Sequence, residues 1–174
     1  VKFASAFAQF IKESSGVSAP KVVIGRDARP SGGWLSNVVS ATLQASGVHV
    51  VDLGLSTTPT VEIAVPGLMA HGGIILTASH NPIEWNALKL LNGKGEFISA
   101  EEGQQLLSTI KGDDLNYVSV EHTGSYTIDD SWIDKHVELV LKHAHVDVEA
   151  IRASNLKVAV DAVNSTGGLA IPPL

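Results

Sequence analysis

The chain contains no cysteine. That excludes disulfides, thiolate nucleophiles and cysteine-bound zinc, and it fits a reducing compartment, the cytoplasm. No apolar run reaches the length of a membrane span, and Val1 does not open a signal-like segment. Basic residues are in deficit: 12 Lys and Arg against 18 Asp and Glu leave a formal charge of -6, the wrong sign for generic binding to nucleic acid. An anionic substrate stays open, because a local cluster of cations can oppose the global charge. Charged residues are sparse at 17% and hydrophobic ones make up 44%, so the chain is not disordered and can build a sizeable core. At 174 residues it suits one domain, or one domain with part of a second. The start at Val instead of Met reads as a piece of a longer protein.

What is present alternates between helical and strand-like segments. Phe3, Ala4, Phe7, Phe10 and Ile11 recur at helical spacing, and Gly16 signals a stop. Lys21 to Gly25 reads as a buried strand that leads into the polar loop Arg26-Asp27-Ala28-Arg29-Pro30. Ser31 is the expected cap of a second helix with Leu35, Val38, Val39 and Leu43 facing inward. Val48 to Leu53 is the next strand, and Thr58-Pro59 supplies the cap and first-turn proline of a third helix that Pro66 should break or kink. Gly73 to Thr77 and Ala87 to Leu91 follow as strands, the latter before an Asn92-Gly93 hairpin signal that points to an antiparallel pairing. Ser99 to Glu102 forms a capping box. The stretch from Gly112 to Asp130 is polar and carries little expected structure. Helices are expected from Trp132 to His143 and from Asp147 to Ala153, then a buried strand from Leu156 to Ala162 ahead of Gly167-Gly168. The pattern is that of a three-layer α/β/α domain with a mixed, largely parallel sheet over residues 1–153. Residues 154–174 read as the truncated start of a second domain.

In such sheets ligands collect beyond the carboxyl ends of the strands. Three loops leave there, at Arg26, Gly54 and Ala78. The third, Thr77-Ala78-Ser79-His80-Asn81-Pro82, sets small polar side chains at the end of an apolar strand. Pro82 should keep Asn81 and the loop extended. A serine held there can relay a transferred group; equally, Ser79 and Asn81 can do no more than satisfy loop backbone groups. A serine hydrolase is excluded by the lack of a Gly-x-Ser-x-Gly elbow, and a dinucleotide domain by the lack of Gly-x-Gly-x-x-Gly. Arg26 and Arg29 could meet phosphate or pair with Asp27, and the structural reading is preferred for both. His136, His143 and His145 read as a solvated face, with no acidic or cysteine partner to make a metal site.

Thr77 to Pro82 resembles the phosphoserine signature of the α-D-phosphohexomutases, the phosphoglucomutase, phosphomannomutase and phosphoglucosamine mutase group. Val22 to Ser31, Asp52-Leu53-Gly54 with Thr57-Thr58-Pro59, Asn86 to Leu90, and Val158 to Asp161 with Gly167-Gly168 are similar to other family segments, in the family's order. Trp85 and Ala87 depart from the tyrosine and glycine common there, and Ala87 removes backbone freedom. The resemblance implies that phosphorylated Ser79 exchanges its phosphoryl group between the 1- and 6-positions of a hexose phosphate, through a hexose 1,6-bisphosphate. It implies Ser79, His80 and Lys89 as catalytic and substrate-binding residues. Lys89 would be a cation near the phosphoserine, against the bland reading of a solvated edge-strand lysine. His80 would be an acid or base, against a loop histidine that orients backbone. Magnesium would bind through the phosphate on Ser79, its other ligands coming from a later domain. Domains II to IV of the same chain, absent here, would complete the site, so this segment alone should be inactive. The alternative is a non-catalytic sugar-phosphate-binding module of the same fold. Residues 83–92 lean towards bacterial phosphoglucosamine or phosphomannomutases, although the sugar is selected by other domains.

Overall fold

The computed structural model describes residues 1–112 and 116–174. Its elements begin with α1 (Lys2–Ser15), β1 (Lys21–Arg26), α2 (Gly32–Ala45), β2 (His49–Leu55), α3 (Thr58–Gly67) and β3 (Gly72–Leu76). They continue with β4 (Leu88–Asn92), α4 (Ala100–Gly112), β5 (Tyr126–Ile128), α5 (Trp132–Leu141), α6 (Val148–Ala153) and α7 (Gly167–Ala170). The five strands form one sheet in the order β4-β3-β1-β2-β5. β1 pairs in parallel with β2 and β3, β2 pairs in parallel with β5, and β3 pairs antiparallel with β4.

Strand periodicity splits the core into two layers. Along β1, Val22 and Ile24 face one side and Val23 the other, because successive side chains alternate across a sheet. The first side is covered by Ala4, Phe7, Phe10 and Ile11 of α1, Val39 and Leu43 of α2 and Leu106 of α4. The second is covered by Val61, Ala64 and Val65 of α3 together with Trp132 of α5. This is the expected three-layer α/β/α arrangement. A parallel sheet buried on both faces needs continuous apolar strands, and residues 22–24 and 74–76 supply them with 1% exposure or less.

Local chemistry sets the element ends. Gly16 closes α1 in the left-handed conformation at φ 70. The capping box at α4 forms in both directions, Ser99 N–H donating to Glu102 Oε2 (2.6 Å) and Glu102 N–H to Ser99 Oγ (3.2 Å). Pro66 lies one residue from the end of α3, where the helix stops. The cap of α3 is Thr57, not Thr58: Thr57 accepts from the Thr60 N–H, and Pro59 sits in the first turn. Ser31 precedes α2 but makes no capping bond; its hydroxyl accepts from Asn86 Nδ2 (3.0 Å). Val38, expected inward, is exposed, since it lies at the border of its helix's buried stripe, and Phe3 of α1 is exposed as well.

The antiparallel pairing expected here is present, β3 against β4, while two other expectations fail in informative ways. Asn92-Gly93 is a turn, though not the connection between β3 and β4. It turns the chain so that Leu91 bridges Phe97, while β3 reaches β4 through residues 77–87. The polar stretch after α4 contains β5, held on β2 by Val50 N–H to Ser125 O (2.8 Å) and by Tyr126 O–H to the buried Asp52 (2.7 Å); residues 113–115 of that stretch lie outside the described residues. Burial, then the hydrogen bond to Asp52, then its charge push the Tyr126 phenol up to about 12. Finally, Leu156 to Ala162 is neither strand nor buried: Leu156 is 70% and Val158 77% exposed. An apolar run becomes a strand only when neighbours accept its backbone hydrogen bonds, and among the described residues none flanks it.

Candidate active site

The parallel register sets Arg26 opposite Leu76, so the loops after β1 and β3 leave the sheet side by side. Asp27 N–H closes the junction by donating to Leu76 O (3.0 Å). Gly25 lets this edge pack closely, because a Cβ there would stand 2.5 Å from Val61 Cγ2 of α3.

Asp27 is the hub. Its Oδ2 accepts the hydroxyl of the buried Thr77 (2.7 Å), whose oxygen in turn accepts the Ser79 N–H (3.2 Å). Asp27 also accepts the Arg29 N–H at Oδ1 (3.0 Å) and the Arg29 Nε–H at Oδ2 (3.2 Å). The rest of the Arg29 guanidinium faces the serine loop. Nη1 donates to Pro82 O (2.7 Å) and Trp85 O (2.9 Å), and Nη2 to Ser79 O (2.9 Å) and Asn81 O (2.7 Å). Arg29 thus pairs with the Asp27 carboxylate as expected, whereas the Arg26 side chain donates to the Asp27 carbonyl (3.3 Å).

The serine loop is not extended. It turns over Ala78–Asn81, with Asn81 N–H (3.0 Å) and Asn81 Nδ2 (2.8 Å) both donating to Ala78 O. Ser79 occupies this turn at φ 52, a left-handed conformation that a residue with a Cβ adopts only when its surroundings hold it there. Pro82 acts downstream of the turn, which is why its restriction on Asn81 did not straighten the loop. Ser79 and His80 are exposed, and Ser79 Oγ stands 3.4 Å from His80 Nδ1. Ala87 is accommodated without a positive φ, and its carbonyl accepts the Thr77 N–H (3.1 Å).

Ser79, His80 and Asn81 line a cleft of about 620 Å³ together with Asp27 and Arg29. Val163, Asn164 and Ser165 form its far wall. The sequence pattern gives no warning of this wall and draws the eye to Gly167-Gly168 instead; no local signal ties residue 164 to residue 79. Lys89 lines a different depression, with its Nζ 5.7 Å from the centre of the Phe97 ring. The structure brings Ser79 and His80 together, and Lys89 lies on β4 beside Phe97. His136 joins α5 to α3 through Thr60 Oγ1 (3.0 Å), and His143 lies beyond the end of α5. Among the described residues no three His, Asp or Glu side chains are grouped as a metal site requires.

Residues 1–116 match the family model described as phosphoglucomutase/phosphomannomutase, alpha/beta/alpha domain I. Over 175 residues the chain is 34% identical to a phosphoglucosamine/phosphogalactosamine mutase of Sulfurisphaera tokodaii, covering 99% of this chain and 36% of that protein. It is 33% identical to a phosphoglucomutase/phosphomannomutase of Thermococcus kodakarensis, covering 100% and 37%. Among solved structures, a phosphoglucomutase/phosphomannomutase family protein from Burkholderia thailandensis superposes with a TM-score of 0.66 at 29% identity, over 80% of this chain and 31% of that one. The chain spans little more than a third of the length of the curated relatives it matches. Sheet order, serine loop and sequence agree: the chain belongs to the phosphoglucomutase/phosphomannomutase family, and residues 1–116 correspond to its α/β/α domain I.

Proposed function

We propose that this chain is the phosphoryl-carrying part of a phosphohexomutase, with Ser79 as the carrier. One observation supports this most: Ser79 stands exposed at a cleft, in a left-handed conformation, with its carbonyl held by Arg29 and its N–H by Thr77, which Asp27 holds. Catalysis of phosphoryl transfer is mainly positioning and charge stabilisation. A fixed, accessible hydroxyl is what such chemistry asks of the protein.

The transfer balances simply. The bond from phosphorus to Ser79 Oγ breaks as phosphorus bonds a hydroxyl oxygen at the 1- or 6-position of a hexose phosphate. The sugar hydroxyl gives up its proton, and Ser79 Oγ takes one. His80 Nδ1, 3.4 Å from Oγ, is placed to deliver that proton. Lys89 is assigned to the sugar side, as a cation or base. The resulting hexose 1,6-bisphosphate reorients and returns its other phosphate to Ser79 by the reverse step. Phosphate on Ser79 brings about -1.5 to -2 charges. Asp27 and Arg29 at the cleft neutralise each other, so cations must come from elsewhere. Magnesium fits that need as a hard ion held by a phosphate oxygen on Ser79, with further ligands from domains outside this chain; bound there, it would withdraw charge from the phosphoryl group.

Domains II to IV of the full-length protein complete the site, and residues 154–174 belong to the start of domain II. We assign the protein to the cytoplasm; among the described residues no helix is long and apolar enough to cross a membrane. The test is mass spectrometry of the full-length protein after incubation with glucose 1,6-bisphosphate. A phosphate adduct should map to Ser79 and vanish in Ser79→Ala together with turnover. An active enzyme with no adduct would overturn the carrier role, and an inert protein that still binds hexose phosphate would favour the non-catalytic module.

A further inference from the structure

An arginine beside a serine that carries phosphate is first read as a phosphate clamp, because the guanidinium fork matches phosphate oxygens bidentately. The geometry of Arg29 argues otherwise. A guanidinium has five N–H donors, and all of them meet protein acceptors here: Asp27 Oδ2 and the carbonyls of Ser79, Asn81, Pro82 and Trp85. The side chain is only 10% exposed. To grip a phosphate it would have to release loop carbonyls that, among the described residues, face no other cation.

We propose that Arg29 is a positioning residue that holds the Ser79 loop in its turned conformation, and that it does not ligate the phosphoryl group. The carbonyl of Ser79 is pinned by Nη2 of Arg29. Its N–H is pinned by Thr77, which Asp27 holds. Both backbone groups of the serine therefore trace to the Asp27–Arg29 pair. Serine has no intrinsic preference for φ near 50°, so the network supplies it. Lysine cannot replace the fork: three donors on a flexible stem do not span four carbonyls and a carboxylate. The structural half of this proposal stands on contacts alone. Its effect on rate rests on Ser79 being the carrier.

The test separates the two halves in the full-length protein. Amide hydrogen exchange is measured first, without phosphate. In Arg29→Lys the amides of residues 78–87 should exchange at least about tenfold faster, the equivalent of one ordinary hydrogen bond lost, while β1 and β3 stay protected. Unchanged loop exchange overturns the proposal. Should the variant unfold, the unvaried protein decides. Its Arg29 side-chain N–H signals should be protected from exchange and unmoved when Ser79 is phosphorylated; fast exchange with water, or a large shift on phosphorylation, overturns it. In kinetics, Arg29→Lys should lower kcat about tenfold or more with KM for hexose phosphate little changed, as expected for lost orientation, and guanidinium ion should partly restore Arg29→Ala. A raised KM with kcat intact is the signature of a lost phosphate ligand and contradicts the proposal. If Ser79 never takes up phosphate, the carrier reading fails, and the exchange result still judges Arg29.

Discussion

At the scale of single residues, the serine is less informative than what holds it. Ser79 contributes an exposed hydroxyl; Thr77, Asp27 and Arg29 contribute its orientation. Thr77→Val keeps the shape but removes both the donor to Asp27 and the acceptor for Ser79 N–H. The expected loss is about 1–3 kcal/mol, the cost of leaving a partly buried carboxylate and an amide short of a partner. Thermal unfolding checks the stability, and the rate of phosphate uptake at Ser79 should fall in parallel. Ser79 is legible in the sequence because the six residues around it follow a recognisable order. The pairing of Arg29 with Asp27 is legible too, but its grip on the loop is not, since the carbonyls it meets there lie 50 to 56 positions away and nothing in local spacing names them. The surroundings of Lys89 are equally hidden. Its place on a strand follows from the pattern, whereas its contact with Phe97 depends on the turn after Asn92.

At the scale of elements, the strands that can be read from the sequence are those that show as apolar runs, β2 and β4 included. β1 and β3 announce themselves as apolar runs, and the capping box announces α4. β5 escapes, because Tyr126, Thr127 and Ile128 are all exposed in a polar stretch and pair with β2 only at the sheet edge. Leu156 to Ala162 misleads for the opposite reason: it has the composition of a strand and, among the described residues, no neighbour to pair with. Two predictions belong here. Gly25→Ala should cost about 1–3 kcal/mol by overpacking β1 against Val61, seen as a lower denaturation midpoint. Tyr126 ties β5 to Asp52 and holds its proton to about 12, above the ordinary 10.0. An unfolded phenol loses its proton first, so this contribution is complete below pH 10.0 and fades as pH rises through about 12. Tyr126→Phe should lower stability by about 1 kcal/mol near neutral pH and flatten the alkaline limb, as urea titrations from pH 8 to 12 would show.

At the scale of the whole molecule, the cleft is built from distant parts of the chain. Two loops and the segment around Asn164 form it, and the chain spans little more than a third of its mutase relatives. The Asp27–Arg29 pair at the cleft is internally neutralised. The chain alone should therefore show no sustained interconversion of hexose 1- and 6-phosphates; a coupled assay reading multiple turnovers from it would contradict this. The central claim is that phosphate passes through Ser79. Pulse-chase in a rapid-quench apparatus tests it most directly, with the full-length protein labelled on Ser79 by radioactive phosphate and then mixed with unlabelled hexose phosphate. The account predicts that label leaves Ser79 and appears on the sugar at least as fast as steady-state turnover. Label that stays on Ser79 through many turnovers would contradict it.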